Sequence, residues 1–272
     1  MTPYRCLALF VMLSVTAVAQ AQPLKIADRQ GSRIVTAQQL LADPSTREIT
    51  IENDAVYGRP MTYRAIPTKA LLRGLRIGND DYVNFVATDR YSVSVPARLL
   101  FQLDKGPVPF LAIETSATAW PVVPGKVNKT PAPFYLVWQG VKSGEISRTY
   151  WVYKLAAVEV ADSPFKKWPS LNVGEDVPPG SPVRRGLDRF VAVCMSCHRF
   201  NGAGDGAQGP DLGRPMNPVE YVQSKAFRML VRSSRHVRDW PDRKMPSFAE
   251  DVLSDEDLDA IIRWLSYEAR QR

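Results

Sequence analysis

Cys194-Met195-Ser196-Cys197-His198 gathers two thiols and an imidazole into five consecutive residues. A C-x-x-C-H run is the attachment signature of a c-type haem. Two cysteines three positions apart share one helical turn, so each can add across a vinyl group of the porphyrin. The histidine that follows is then set beneath the ring as an axial iron ligand. Whatever else the chain folds into has to accommodate a flat, covalently held iron centre.

The thiol count narrows the alternatives. Among 272 residues there are three cysteines and two histidines. A redox dithiol at Cys194 and Cys197 would call for a thioredoxin-like βαβ setting, which the flanks do not supply. A zinc site needs more Cys or His than His198 and His236 can add. The third cysteine, Cys6, falls in what reads as an export signal over 1–21. Arg5 gives the positive n-region, Cys6 to Ala17 the apolar h-region, and Ala19-Gln20-Ala21 the small-x-small cleavage form. The apolar run is shorter than the ~20 residues a spanning helix needs, and Cys6 precedes it, which argues against lipid attachment. The expectation is a periplasmic protein with no stable membrane span after cleavage. Its two remaining thiols are both taken by one haem c.

The formal net charge of +7 reads as a solvated surface. A second use is docking to an acidic redox partner, since charge steers encounter. No basic run is interleaved with aromatics, so nucleic acid is not expected as a partner.

Residues 22–162 read as a mixed α+β, strand-rich domain. Arg47–Ile51 alternates as a strand, and Tyr82–Ala87 places Val83, Phe85 and Ala87 on one face. Phe134–Trp138 and Thr149–Val160 are aromatic and β-branched runs joined through the turn residues Lys142-Ser143-Gly144-Glu145. Thr36 is a cap for a helix over Ala37–Ala42, and Thr68 for one over Lys69–Leu75 that ends at Arg76 before Gly78. Residues 163–185 hold five prolines, at 164, 169, 178, 179 and 182, and predict a semi-extended linker. Residues 186–272 form the second domain.

In that domain Leu187, Phe190, Val191 and Cys194 fall at i, i+3, i+4 and i+7, so the attachment motif ends an amphipathic helix. A glycine-rich loop over 201–213 suits chain reversal beside a flat cofactor. A phosphate-binding loop would need a preceding strand and a following Lys-Ser/Thr. Ser254 and Asp257 form a capping box, and Leu258, Ile261, Ile262 and Leu265 make one apolar stripe on a terminal helix that should cross the first. Trp264 is read as packing. Trp240, Arg235, Arg238 and Arg243 are candidates to hydrogen-bond haem propionates. The second axial ligand is chosen from Met245, Met216, Met229 and His236, with Met245, ahead of Pro246, preferred. Met216 and Met229 otherwise read as core filling, and His236 as a surface side chain.

C-M-S-C-H, then Gly209-Pro210-Asp211-Leu212, then Lys244-Met245-Pro246-Ser247-Phe248, then the acidic-capped terminal helix follow one another in order. On these motifs residues 186–272 resemble a monohaem class I cytochrome c domain, an all-α fold. The resemblance implies that the Pro210 carbonyl accepts from the second ring nitrogen of His198, that Leu212 packs on the porphyrin, and that Met245 is the distal ligand. A Met/His pair would raise the reduction potential relative to bis-His.

The first domain is similar to the molybdopterin-binding domain of the sulfite oxidase family. The stretches that carry this are Glu52-Asn53-Asp54-Ala55-Val56-Tyr57-Gly58-Arg59, Ala65-Ile66-Pro67-Thr68-Lys69-Ala70-Leu71-Leu72 and Phe85-Val86-Ala87-Thr88-Asp89-Arg90-Tyr91. Pro133-Phe134-Tyr135-Leu136-Val137-Trp138 and Val158-Glu159-Val160 continue it. The family holds molybdenum through a cysteine sulfur. Residues 22–162 contain neither cysteine nor histidine, so molybdopterin is not expected. Arg59, Arg64, Asp89, Arg90, Tyr91 and Lys126 are polar anchor candidates there, none assigned a catalytic role.

Three functions remain open. The preferred one is single-electron transfer between a periplasmic redox enzyme and an acceptor, with the first domain as a docking or binding platform and no catalysis of its own. The second is a molybdopterin-dependent, sulfite-dehydrogenase-like oxidoreductase or its haem subunit. The third is a haem-containing binding or sensor module.

Overall fold

A computed structural model of the chain describes residues 22–101, 106–115, 117–142, 145–239 and 245–271. The expected export signal, Ser143, Gly144, Trp240, Arg243 and Lys244 lie outside the described residues. The elements in chain order are β1 (Leu24–Asp28), β2 (Gly31–Val35), α1 (Ala37–Leu41), β3 (Arg47–Ile51), β4 (Met61–Pro67), α2 (Thr68–Leu71), β5 (Tyr82–Ala87), β6 (Ser92–Pro96), α3 (Ala97–Leu100), β7 (Val108–Ile113), β8 (Phe134–Gln139) and β9 (Leu155–Ala161). After these come only helices: α4 (Pro164–Lys167), α5 (Pro182–Arg189), α6 (Pro218–Tyr221), α7 (Ser224–Arg232) and α8 (Asp255–Ala269). The strand-rich first part and helical second part match the fold classes expected from the sequence.

The first part is built on two sheets, β2-β1-β9-β5-β6 and β3-β4-β7-β8. All pairings are antiparallel except β1 with β9. Alternation explains β5, where Val83, Phe85 and Ala87 are buried. It does not explain β8, whose Phe134, Tyr135, Leu136, Val137 and Trp138 are all buried. β8 closes its sheet, but its free edge is covered: Leu136 donates to the Val152 carbonyl at 2.8 Å, and Tyr135 bridges Tyr153. The expected strand over Thr149–Val160 therefore splits. Arg148–Tyr150 is a 3-10 turn, the next residues cover β8, and the strand proper begins at Leu155.

Helix starts differ from expectation where side chains find other partners. Thr36 caps α1 in a reciprocal box with Gln39. Thr68 does not cap; it is the first residue of α2, and its hydroxyl donates to the Leu100 carbonyl at 2.8 Å. That helix ends at Leu71, and Gly74, at φ +85°, turns the chain before Leu75. Ser254 caps α8 through the Asp257 amide at 3.1 Å, but the capping box is incomplete. The Asp257 carboxylate is taken instead by Arg185 at 2.7 Å and Arg189 at 3.0 Å, both on α5. An aspartate is one methylene shorter than the glutamate the box prefers, and two guanidiniums outcompete one backbone amide for it.

Residues 163–185 also depart from expectation. Three of the five prolines sit at helix starts (Pro164 in α4, Pro169 in a 3-10 turn, Pro182 in α5) rather than in extended chain. Leu171, Val173 and Val177 are buried in the apolar core of the helical part, together with Leu187, Phe190, Phe200, Leu258, Ile261, Trp264 and Leu265. The segment belongs to the fold it precedes.

Candidate haem site

The site begins where α5 meets α8. At the crossing, a Cβ on Gly186 would stand 1.9 Å from the Ala260 carbonyl oxygen and 2.9 Å from Trp264 Cβ, so only glycine allows this approach. Trp264, fully buried, stacks obliquely on Phe190 at 4.6 Å and Phe200 at 4.7 Å between ring centroids. That supports the packing reading and anchors the end of α5 from which the attachment motif leaves.

The motif does not simply end an α-helix. Phe190–Cys194 winds as a π turn, with Met195 N–H donating to Phe190 O at 3.0 Å. Cys197 and His198 N–H then both reach Cys194 O, at 3.1 and 2.9 Å. The result places Cys194, Cys197 and His198, all half-buried, around one tight turn. Neither thiol is in a disulfide. Desolvation, and then the neighbouring Cys197, push the Cys194 thiol up to about 12. Burial also raises Cys197. These are shielded thiols rather than a poised thiolate.

His198 is held by two features. Its Nδ1 lies 2.8 Å from the Pro210 carbonyl oxygen, which leaves Nε2 as the nitrogen open to a metal. Gly209 presses on the ring: a Cβ there would stand 2.3 to 2.8 Å from three ring atoms. A Cβ on Gly206 would stand 2.6 to 2.7 Å from backbone atoms of Met195, Cys197 and His198. Asp211 organises the return of this loop by accepting from the amides of Asn201, Gly202 and Gly213 at 2.8, 2.7 and 2.7 Å. Burial opposes its ionisation, but those amides outweigh it and hold the carboxyl below the usual range. Two shielded thiols, an immobilised imidazole with one free nitrogen and a glycine cradle fit a covalently attached haem.

The other candidates are placed unevenly. Leu212 and Met245 are partly buried and pack against the helical core. Pro210 is exposed. Met216 and Met229 are 47% and 36% exposed, which removes both from core filling. His236 is exposed, next to Arg235 and Arg238. Arg235 pairs loosely with Asp239 at 3.9 Å. Among the described residues no cluster of three or more His, Cys, Asp or Glu side chains is set to hold a bare metal ion, and no helix is long and apolar enough to cross a membrane.

Of the polar candidates in the first domain, Arg59, Arg64, Asp89, Arg90 and Lys126 are exposed. Arg59 lies over the Tyr57 ring at 5.7 Å, and Asp89 accepts from the Tyr91 amide at 3.1 Å. Of these candidates Tyr91 reaches the motif, its phenol meeting Ser196. Three features escaped sequence reasoning. These are the π turn, the Asp211 amide cluster and the contact of the first domain with Ala192. Asp211 could have been found from its position inside a glycine-rich reversal, where a short carboxylate can collect amides.

The cytochrome c family matches residues 183–267, three residues ahead of the expected boundary and ending within α8. No curated protein matches the chain. The family match does not extend into the strand-rich part. The chain therefore carries a C-terminal cytochrome c domain, which implies covalently bound haem c and electron transfer.

Proposed function

We propose that the protein is a periplasmic c-type cytochrome that passes single electrons between a redox enzyme and an acceptor protein, with residues 22–162 as its docking or binding platform. The observation that carries this reading is the clamped imidazole, with Nδ1 of His198 at 2.8 Å from Pro210 O and Gly209 against the ring. In this reading Cys194 and Cys197 would hold one haem c through thioethers, His198 and Met245 would ligate its iron, and Leu212 would pack against it. The group would supply one-electron chemistry. The Pro210 carbonyl fixes the imidazole tautomer and raises its basicity. The apolar residues around Phe190, Phe200 and Trp264 exclude water from one side of the turn. The signal-like residues 1–21 support export, and the net charge of +7 supports steering to an acidic partner.

Spectroscopy and voltammetry of the holoprotein test the ligand set. Met245→Ala is expected to abolish the weak absorption of a thioether bound to ferric iron and to lower the midpoint potential, while Met216→Ala and His236→Ala keep both. Retention of both signals in Met245→Ala would overturn the assignment. Stoichiometric molybdenum in the purified protein would move the function to a sulfite-dehydrogenase-like oxidoreductase. A high-spin iron that binds CO rapidly would move it to a haem sensor.

A further inference from the structure

The haem-bearing turn is covered by the first domain along its length. Asp188 of α5 faces Arg98 of α3, and Arg98 reaches the Tyr82 hydroxyl. One turn on, the Ala192 carbonyl of the π turn accepts from the first domain. Thr149 Oγ1 lies 2.5 Å from it and Ser147 Oγ 3.2 Å. The two hydroxyls are 2.7 Å apart. Each has one proton, so Thr149 donates to the carbonyl while Ser147 supports Thr149 or shares the acceptor. Past the π turn, the phenol of Tyr91 reaches Ser196 and donates to Thr149 O at 3.4 Å.

A π turn releases carbonyls from the regular helical ladder. Here the neighbouring amides are committed elsewhere: Met195 N–H to Phe190 O, and those of Cys197 and His198 to Cys194 O. The Ala192 carbonyl is met by side chains from more than 40 positions earlier in the chain. Ala192 packs against the apolar cores of both domains. Between Val93 and Ser94 on one side and Val191, Met195 and Ser196 on the other lies a cavity of about 20 Å³, room for one water. The salt bridge across the boundary is exposed: Arg148–Asp251 spans 3.6 Å. An exposed pair of this kind contributes little, so the hydroxyl pair and the apolar contact define the joint.

We infer that the first domain is a fixed intramolecular cap on the thiol-bearing turn, with Ser147 and Thr149 as positioning residues for the π turn and Tyr91 as the brace behind Thr149. This rests on the reading of the turn as a haem attachment site and adds a role to the first domain. The cap keeps water from the thioether side of the haem, which favours the uncharged reduced centre and raises its potential, because solvent access and local dielectric tune redox sites. It also removes that side from contact with other proteins, so a redox partner has to approach elsewhere on the cytochrome domain.

The test uses the full-length holoprotein carrying Ser147→Ala with Thr149→Val, and separately Tyr91→Phe. Amide hydrogen exchange is followed in peptides covering 190–198 and 255–269, and the midpoint potential is read by voltammetry. The double variant is expected to exchange several-fold faster over 190–198, with 255–269 unchanged, and to shift the potential downward. Ser147→Ala with Thr149→Ser, which keeps one hydroxyl, is expected to restore both. Tyr91→Phe is expected to give a smaller shift of the same sign. Wild-type exchange and potential in the double variant would overturn the cap. If the double variant accumulates poorly, Thr149→Val alone carries the same expectations and the same overturning result. A wild-type chain without haem would instead refute the haem reading, and the exchange comparison would still decide the cap.

Discussion

The two domains fill their interiors in different ways. The first closes on itself: two sheets bury one aromatic and aliphatic core, and Asp54, a fully buried carboxylate, is met within that core. Asp54 accepts from the Tyr63 hydroxyl at 2.9 Å, the Tyr135 hydroxyl at 3.3 Å and the Val56 and Tyr57 amides at 2.8 and 3.0 Å. Aromatic rings continue outward, with Tyr135 about 6 Å from the rings of Tyr63, Trp151 and Tyr153. The second domain has a smaller core, and among its most demanding contacts are glycines against backbone or imidazole at 186, 206, 209 and 213. One domain meets its buried carboxylate with hydroxyls and amides of its own core. The other leaves Nε2 of His198 open and keeps Cys194 and Cys197 out of any disulfide.

This difference can be broken from either side. Phe85→Ala and Trp264→Ala each remove a fully buried aromatic and are each expected to cost about 3–5 kcal/mol. Phe85→Ala should destabilise the strand-rich domain, read as loss of the β signature in far-UV circular dichroism. Trp264→Ala should leave that signature and loosen the haem. Loss of both signals together in both variants would mean that the domains unfold as one unit. A finer cut is Gly186→Ala, which forces a methyl into the α5–α8 crossing and is expected to cost about 3 kcal/mol, the upper end for overpacking. Thermal unfolding followed at the haem absorption would show it.

The smallest effect sharpens the comparison by pH. The carboxyl of Asp211 is depressed in the folded state, so its contribution is present above the unfolded carboxylate pKa. It is lost as pH falls through the folded value. Asp211→Asn is expected to lower stability at neutral pH by about 1.5–3 kcal/mol, the worth of a hydrogen bond to a charged group. The gap between variant and wild type should close in acid. Paired denaturant titrations at neutral and acidic pH measure this, and a pH-independent gap would contradict the role given to those amides.

Much of this was legible in the sequence, for physical reasons that differ by element. Period-two alternation gave β3 and β5 their bounds, because one face of each is buried and the other is not. β8 was visible as a strand only by composition, since side chains on both of its faces are buried and alternation is lost. The attachment motif stood out because covalent chemistry needs fixed residues at fixed spacing. The contact from Ser147 and Thr149 to Ala192 left no trace, since two hydroxyl residues beside a turn are ordinary and their acceptor exists only once the π turn forms. The prolines of 163–185 misled in the same way: their sequence fits an extended linker as well as helix starts, and only the burial of Leu171, Val173 and Val177 separates the two.

One haem covalently attached at the turn formed by Cys194, Cys197 and His198 underlies every role proposed for the second domain. Mass spectrometry of the exported full-length protein, with peptide mapping, decides it. One haem per chain is expected, bound through two thioethers to the peptide containing residues 194–198, and lost from the Cys194→Ala, Cys197→Ala double variant. Unmodified thiols in that peptide, in protein made by cells that attach haem to other c-type cytochromes, would contradict it.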